Sequence, residues 1–297
     1  MDLLPLRYFQ VVARYEHISR AAEELRVAQP SVSRVIARLE HELGTPLFDR
    51  QGRRVHLNAY GRIFLRHVER ALRELDDART ALRDARASGL GTVAVAAETL
   101  LTLTGVLATF RRARPGTEVR LYQSTADEME RQLRAGEVDL CLASQPLNGP
   151  SLTGVELLHE EVLLAVPQDH RLAGRASVAV PELADEPFIT TRPGNWQRTL
   201  LDRLFAAEGL SPVVTCESNE PGASQDLISA GLGVGLIPAM SRLLGTHAPV
   251  DWVRIDAPAC HRTLTLVRRA DAYLSTAARA FLDHTTGRPF AAHWTSP

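Results

Sequence analysis

At 297 residues, with 45% hydrophobic and 23% charged side chains, the chain is long enough for two or three cores and is not of a disordered or fibrous class. It has no run of eighteen apolar residues that could span a membrane, and its three scattered cysteines, Cys141, Cys216 and Cys260, fit neither a disulfide framework nor a metal site. The net charge of −1 hides an asymmetry: residues 1–90 hold 16 arginines against 12 acids, and residues 91–297 hold 18 against 23, which suits contact with a polyanion at one end only.

The N-terminal stretch MDLLPLRYFQVVARYEH carries Asp2, Glu16 and two arginines and lacks a small-residue cleavage site. It is not expected to be a signal peptide, so a cytoplasmic location is expected. Leu6, Phe9, Gln10, Val11, Val12 and Ala13 open the chain with helical spacing of apolar positions. Ser19 reads as the N-cap of a second helix, Arg20 to Leu25, with Ala21, Ala22 and Leu25 as a small packing face. A turn at Arg26-Val27-Ala28 leads to a third helix, opened by Pro30 and stopped by Gly44.

The third helix carries the function. Val32, Val35, Ile36, Leu39 and Leu43 form its core face, and Pro30, Ser33, Arg34, Ala37, Arg38 and His41 oppose them, with Gln29 and Ser31 at its start. Gln pairs with adenine, Arg with guanine, and Ser with bases or phosphate, so this face suits a major groove. Residues 47–57 then alternate about a Gly turn, as a hairpin does, with Arg50, Arg53 and Arg54 near its tip for phosphates or a minor groove. Together these make a winged helix-turn-helix.

The segment AAEELRVAQPSVSRVIARLEHELGTPLFDR resembles the DNA-binding part of the LysR-type transcriptional regulators. Gln29-Pro30-Ser31-Val32-Ser33-Arg34, Leu39-Glu40, Leu43-Gly44, Leu47-Phe48 and Arg50 stand where that family's pattern has them. At Asn58-Ala59-Tyr60-Gly61 the family more often has Thr, and Asn caps a helix as well. The resemblance implies DNA contact by Ser19, Arg20, Gln29, Pro30, Ser31, Ser33, Arg34, Arg38, Arg50, Arg53 and Arg54.

After Asn58 an unbroken helix is expected, with Leu65, Val68, Leu72, Leu75 and Leu82 at the spacing of a two-helix seam interrupted by Arg79, the alternative being an amphipathic helix lying on its own body. The resemblance implies antiparallel pairing of these linker helices in a homodimer, with a homotetramer expected beyond it. Two heads would read an imperfect palindrome. Gly89-Leu90-Gly91 is expected to hinge.

From residue 92 strands and helices alternate, which predicts parallel sheets with helices on their faces. Strands are expected at Thr92–Ala97, Glu118–Gln123, Val138–Ala143, Leu157–Pro167, Val213–Glu217, Gly235–Ile237 and Leu264–Arg268. Helices are expected at Leu100–Arg112, Ala126–Ala135, Gln197–Glu208, Ser224–Ala230 and Ala272–Thr285. The glycines of residues 231–238 precede a strand instead of following one, so nucleotide binding is rejected.

QLRAGEVDLCLAS and ISAGLGVGLIPA resemble the effector-binding half of the same family. The fold expected is therefore α/β: a winged helix-turn-helix at 1–58, a linker helix and hinge at 59–91, and an effector domain at 92–297. The last would be two Rossmann-like subdomains of periplasmic-binding-protein type, 92–161 plus 268–297 and 162–267. The chain should cross near Glu161–Ala165 and return near Thr265–Arg268.

The cleft between them is expected to present Glu98, Thr99 and Thr102, then Ser124 and Thr125, from one side. Thr191, Arg192, Asn195, Asn219 and Pro221 come from the other. Helix-start hydroxyls and N–H groups with Arg192 favour a small anionic or polar effector, although Glu98 could favour an amine. No cofactor or metal is expected, and no Gly-x-Ser-x-Gly, paired-histidine or Cys–His motif supports an enzyme. A free solute-binding protein is opposed by the head. The expected partners are double-stranded DNA, further copies of the chain and RNA polymerase, with no membrane.

Overall fold

The computed structural model describes residues 2–51, 54–86, 91–149, 151–218, 220, 223–243 and 248–295, and only the backbone of residues 50, 51, 54, 80, 83–86, 243 and 295. The chain divides into two units, 1–83 and 84–297.

The first unit contains α1 (Leu3–Tyr15), α2 (Ile18–Leu25), α3 (Gln29–Leu43), the hairpin β1 (Phe48–Gln51) and β2 (Arg54–Leu57), and most of α4 (Ala59–Arg86). Each of the first three helices stops at a left-handed residue: Glu16 (φ 46°), Arg26 (φ 54°) and Gly44 (φ 69°). Only the glycine adopts that conformation without strain. The expected cap at Ser19 is not made. Because the chain leaves α1 at Glu16 and extends at His17, the second helix starts at Ile18, and His17 Nδ1 accepts the Arg20 N–H at 3.5 Å.

Phe9, Val12, Ala21, Val32, Ile36, Leu39, Leu47, Phe48 and Val55 form the head's core. Phe9 sits between Phe48 and Phe64, at 5.4 and 5.3 Å between ring centroids. The buried Ala21 and Ala22 remove the bulk that would separate α2 from its neighbours. Val68 and Leu72 are buried in this same core and Leu65 packs against it. Leu75 and Leu82, on the same helix, are 40% and 67% exposed. The expected seam is therefore split, its first half being spent on the head itself.

The second unit is built on an eight-stranded sheet. Its strands are β3 (Thr92–Ala97), β4 (Glu118–Gln123), β5 (Leu140–Ala143), β6 (Leu152–Val166), β7 (Ser177–Val178), β10 (Gly235–Pro238), β11 (Asp251–Ile255) and β12 (His261–Arg269). A separate parallel pair, β8 (Pro187–Thr191) and β9 (Val213–Ser218), is tied to the segment before β10: Ile189 and Val234 N–H donate to the Val234 and Pro187 carbonyls, both at 2.8 Å. The sheet is mixed, not parallel as alternation predicted. Strands β3, β4 and β5 run parallel, but β12 is antiparallel to β5 and β6, and β10 and β11 are antiparallel to β6.

Two strands cross between two cores. Leu157 and Leu158 of β6, with Leu264 and Leu266 of β12, join a core containing Val93, Phe110 and Phe281. Farther along β6, Val162 and Leu164 join a core with Phe188, Leu200, Leu204, Leu236 and Val253. The body thus has two lobes joined at β6 and β12, with a register shift between Leu264 and Thr265. Thr265–Val267 already pair with β5 of the first lobe, so the return lies earlier than Thr265–Arg268.

The helices α5 (Thr104–Ala113), α6 (Ala126–Ala135), α7 (Trp196–Ala207), α8 (Ser224–Ser229), α9 (Thr276–Thr286) and α10 (Ala292–Thr295) flank these strands. The expected helix at Ala272 starts instead at Thr276, where Ser275 Oγ accepts the Ala278 N–H at 3.1 Å. Gly233 explains part of the glycine run: its φ is 154°, and a Cβ there would stand 2.3 Å from the Pro187 carbonyl oxygen. These glycines serve close strand approach.

Candidate functional site

In the head, α3 buries Val32, Ile36 and Leu39 and leaves Gln29, Pro30, Arg34, Ala37, Arg38 and His41 exposed, with Ser31 and Ser33 half-buried. Its side chains are linked along the helix. Gln29 Nε2 donates to Ser33 Oγ at 3.2 Å, Arg34 Nε to the Pro30 carbonyl at 3.3 Å, and Arg38 Nε to Glu42 Oε1 at 3.0 Å. The N-cap is Ala28, whose methyl side chain offers no acceptor to the first-turn N–H groups. Ser19 and Arg20 are exposed in the first turn of α2. Arg50 and Arg54 lie on the hairpin strands; their side chains, and all of Arg53, lie outside the described residues.

Acidic residues to which the sequence assigned no role hold the wing. Glu40 Oε1 accepts the N–H of Leu47 and of Phe48, at 2.8 and 3.2 Å. Glu16 accepts the Leu57 N–H at 3.2 Å and pairs with His56 Nδ1 at 2.8 Å, and these contacts hold its carboxyl below the usual range. Asn58 Oδ1 caps α4 through the Gly61 N–H at 2.9 Å.

In the body, residues of both lobes line two cavities. The wider, about 410 Å³, is lined by Glu98, Gln123, Ser124, Thr125, Glu128, Arg192, Pro193 and Asn195. The narrower, about 40 Å³, is walled by Thr99 and Thr102 from the first lobe, Trp196, Gln197 and Met240, and Arg262 of β12. Seven of the ten expected cleft residues therefore line one cavity or the other. Thr191 is buried beside them and lines neither, and Asn219 and Pro221 lie outside the described residues.

Several hydroxyls there are already engaged. Thr125 and Glu128 form a capping box, Ser124 Oγ donates to Gln132 Oε1 at 2.9 Å, and Thr102 Oγ1 donates to the Thr99 carbonyl at 2.7 Å. Glu98 is 2% exposed: Oε2 accepts the Ser144 N–H at 2.7 Å and Oε1 accepts Gln145 Nε2 at 2.8 Å. Burial outweighs these donors and raises its carboxyl above the ordinary range. Trp196, Gln197, Gln145 and Arg262 were missed from sequence, because their place in the cleft depends on pairings far along the chain. Trp196 and Arg262 also wall a further cavity of about 460 Å³.

The cysteines lie elsewhere. Cys141 and Cys260 are buried, with their thiols pushed up by burial, Cys260 to about 12, and Cys216 is half-buried. Among the described residues no cluster of His, Cys, Asp or Glu could hold a metal, and no helix is long and apolar enough to cross a membrane.

A helix-turn-helix head with a two-lobed ligand-binding body defines a ligand-responsive DNA-binding protein. The profile of the bacterial regulatory helix-turn-helix protein, lysR family, matches residues 3–62, and that of the LysR substrate binding domain matches residues 86–288. The chain belongs to the LysR family of transcriptional regulators. It is 33% identical over 286 residues to an HTH-type transcriptional regulator of Bacillus subtilis, YybE, covering 95% of this chain and 97% of that one. It is 32% identical to the Bacillus subtilis transcriptional dual regulator GltC, covering 95% and 96%. Among solved structures, a full-length OxyR variant of Pseudomonas aeruginosa superposes with a TM-score of 0.59 at 23% identity, covering 96% of this chain and 99% of that one. CbnR complexed with its target DNA gives a TM-score of 0.55 at 24% identity, covering 96% and 98%. The matched families and relatives are transcriptional regulators, not enzymes.

Proposed function

We propose that α3 is the recognition helix of this regulator, set in the major groove with Gln29, Ser31, Ser33, Arg34 and Arg38 toward base edges and phosphates. The observation that carries this is the exposed, internally linked polar face of α3, backed by a buried apolar one. Pro30 opens that face, Ser19 and Arg20 meet the flanking backbone, and Arg50, Arg53 and Arg54 of the wing reach phosphates or the minor groove. CbnR, which has a similar fold, was solved complexed with its target DNA, and this supports DNA contact.

Division of labour follows: residues 1–58 bind DNA, 59–91 pair and hinge, and 92–297 bind an effector. The exposed Leu75 and Leu82 of α4 are the surface on which a second copy would pair, and pairs would associate further into a tetramer on an imperfect palindrome. A small effector between the lobes, in a cleft that includes Glu98, Thr99, Thr102, Ser124, Thr125, Arg192 and Asn195, would bias the spacing of the heads. Through DNA bending, that bias would reach RNA polymerase in the cytoplasm.

Replacing Arg34 with Ala should weaken binding to the DNA upstream of the chain's own gene by about 1–3 kcal/mol and leave non-specific binding nearly unchanged. A gel-shift titration with undiminished specific affinity removes α3 from the recognition role.

A further inference from the structure

The floor of the cleft holds hydrogen-bonding capacity that the chain leaves unused. Arg262 is 3% exposed. Its Nε and Nη2 reach Glu160 Oε1 at 2.8 and 2.7 Å, and Nη2 also lies 2.9 Å from Met240 Sδ. Its third nitrogen, Nη1, is buried with no hydrogen-bond partner among the described residues. Trp196, at the start of α7, lies 4.9 Å from the guanidinium carbon to its ring centre, and its buried Nε1–H is likewise unpartnered. Gln197 donates Nε2 to the Leu236 carbonyl at 3.1 Å and leaves Oε1 unpaired.

All three residues line the chamber of about 40 Å³. Buried polar groups are overwhelmingly paired in folded proteins, so two unpaired donors, Arg262 Nη1 and Trp196 Nε1, on residues that line one cavity call for an acceptor. A space of this size admits a few waters or one small planar group. An indole N–H and a guanidinium N–H offer two donors, one carrying full charge. A carboxylate is small and planar and can accept from both, its two oxygens forming short charge-assisted bonds with such donors.

We propose that this chamber seats a carboxylate of the effector, held by Arg262 Nη1 and Trp196 Nε1. The proposal rests on the reading of the cleft as the effector site and moves the anchor from the exposed Arg192 to the buried Arg262. Glu160 pairs with the guanidinium through Nε and Nη2, which leaves Nη1 as the nitrogen for an incoming anion. Thr99 and Thr102 belong to the first lobe and Trp196 to the second. A carboxylate seated here touches both, which links occupancy to lobe spacing.

The test uses the full chain with acetate, lactate and benzoate, each against its primary amide at equal ionic strength, read by thermal shift and by gel shift on the upstream DNA. At least one acid should raise Tm where its amide does not. Trp196→Phe keeps a ring under Arg262 without the N–H and should weaken that acid about tenfold, and Arg262→Lys should weaken it further. Equal stabilisation by acid and amide, stabilisation by methylamine or benzylamine instead, or no response to any acid overturns the carboxylate seat. The amine outcome places the anchor at Glu98 and leaves the effector reading standing. A ligand that stabilises the body yet leaves the gel shift unchanged counts against the effector reading itself.

Discussion

Gln145 and Gly194 connect the two lobes of the body: the Gln145 amide nitrogen donates to the Gly194 carbonyl at 3.0 Å. The same nitrogen donates to Glu98 at 2.8 Å, so one side chain both satisfies a buried carboxylate and spans the cleft. Gln145→Leu removes both bonds at nearly constant volume. The body should lose about 1–3 kcal/mol, since a buried carboxylate oxygen loses a donor. Urea unfolding followed by tryptophan fluorescence measures it, and an unshifted midpoint shows that the tie contributes nothing.

Two leucines of α4 should behave differently although the sequence gives them one spacing. Leu72 is 4% exposed within the head core, so Leu72→Ala should cost the head about 2–5 kcal/mol. Leu82 is 67% exposed, and Leu82→Asp should leave that core intact while abolishing self-association. Sedimentation velocity separates the cases; an unchanged mass for Leu82→Asp argues against pairing through this part of α4.

The grip of Glu16 on the wing is pH-dependent. Its carboxyl is held below its ordinary value of 4.5, chiefly by the hydrogen bond with His56 and then by the Leu57 N–H. A depressed acid contributes stability above its unfolded value and loses that contribution as pH falls through the folded one. Protection of α1 amides against hydrogen exchange should therefore decline below about pH 4.5, and Glu16→Gln should flatten the decline. The group is half exposed, so solvent screening keeps the effect small. An identical acid limb in the variant removes Glu16 from this role.

Thiol chemistry should discriminate among the three cysteines. Burial holds Cys141 and Cys260 in the unreactive thiol form, whereas Cys216 is half-buried on β9. Titration of the native chain with Ellman's reagent at pH 8 should modify Cys216 first, and Cys216→Ser should abolish the early phase. Rapid modification of Cys141 would show that the first lobe opens far more readily than its packing implies.

Local patterns carried much of the molecule. Ala21, Ala22, Pro30 and Gly44 mark the helix-turn-helix because caps, stops and small packing residues act within one or two turns of where they stand, and the polar face of α3 follows from its 3.6-residue period. Strands such as Thr92–Ala97 and Glu118–Gln123 were legible for the same reason. Short strands without a long apolar run, Ser177–Val178 and Asp251–Ile255, were not.

What the sequence by itself determined is the kind of protein: a DNA-reading head, a long helix and a two-lobed body. Tertiary structure alone decided that Val68 and Leu72 belong to the head while Leu82 stays exposed, since burial depends on what lies opposite. It also decided that Arg262 meets Trp196, 66 positions earlier in the chain. Their meeting depends on two strands crossing between the lobes, and no periodicity within either segment encodes such a pairing.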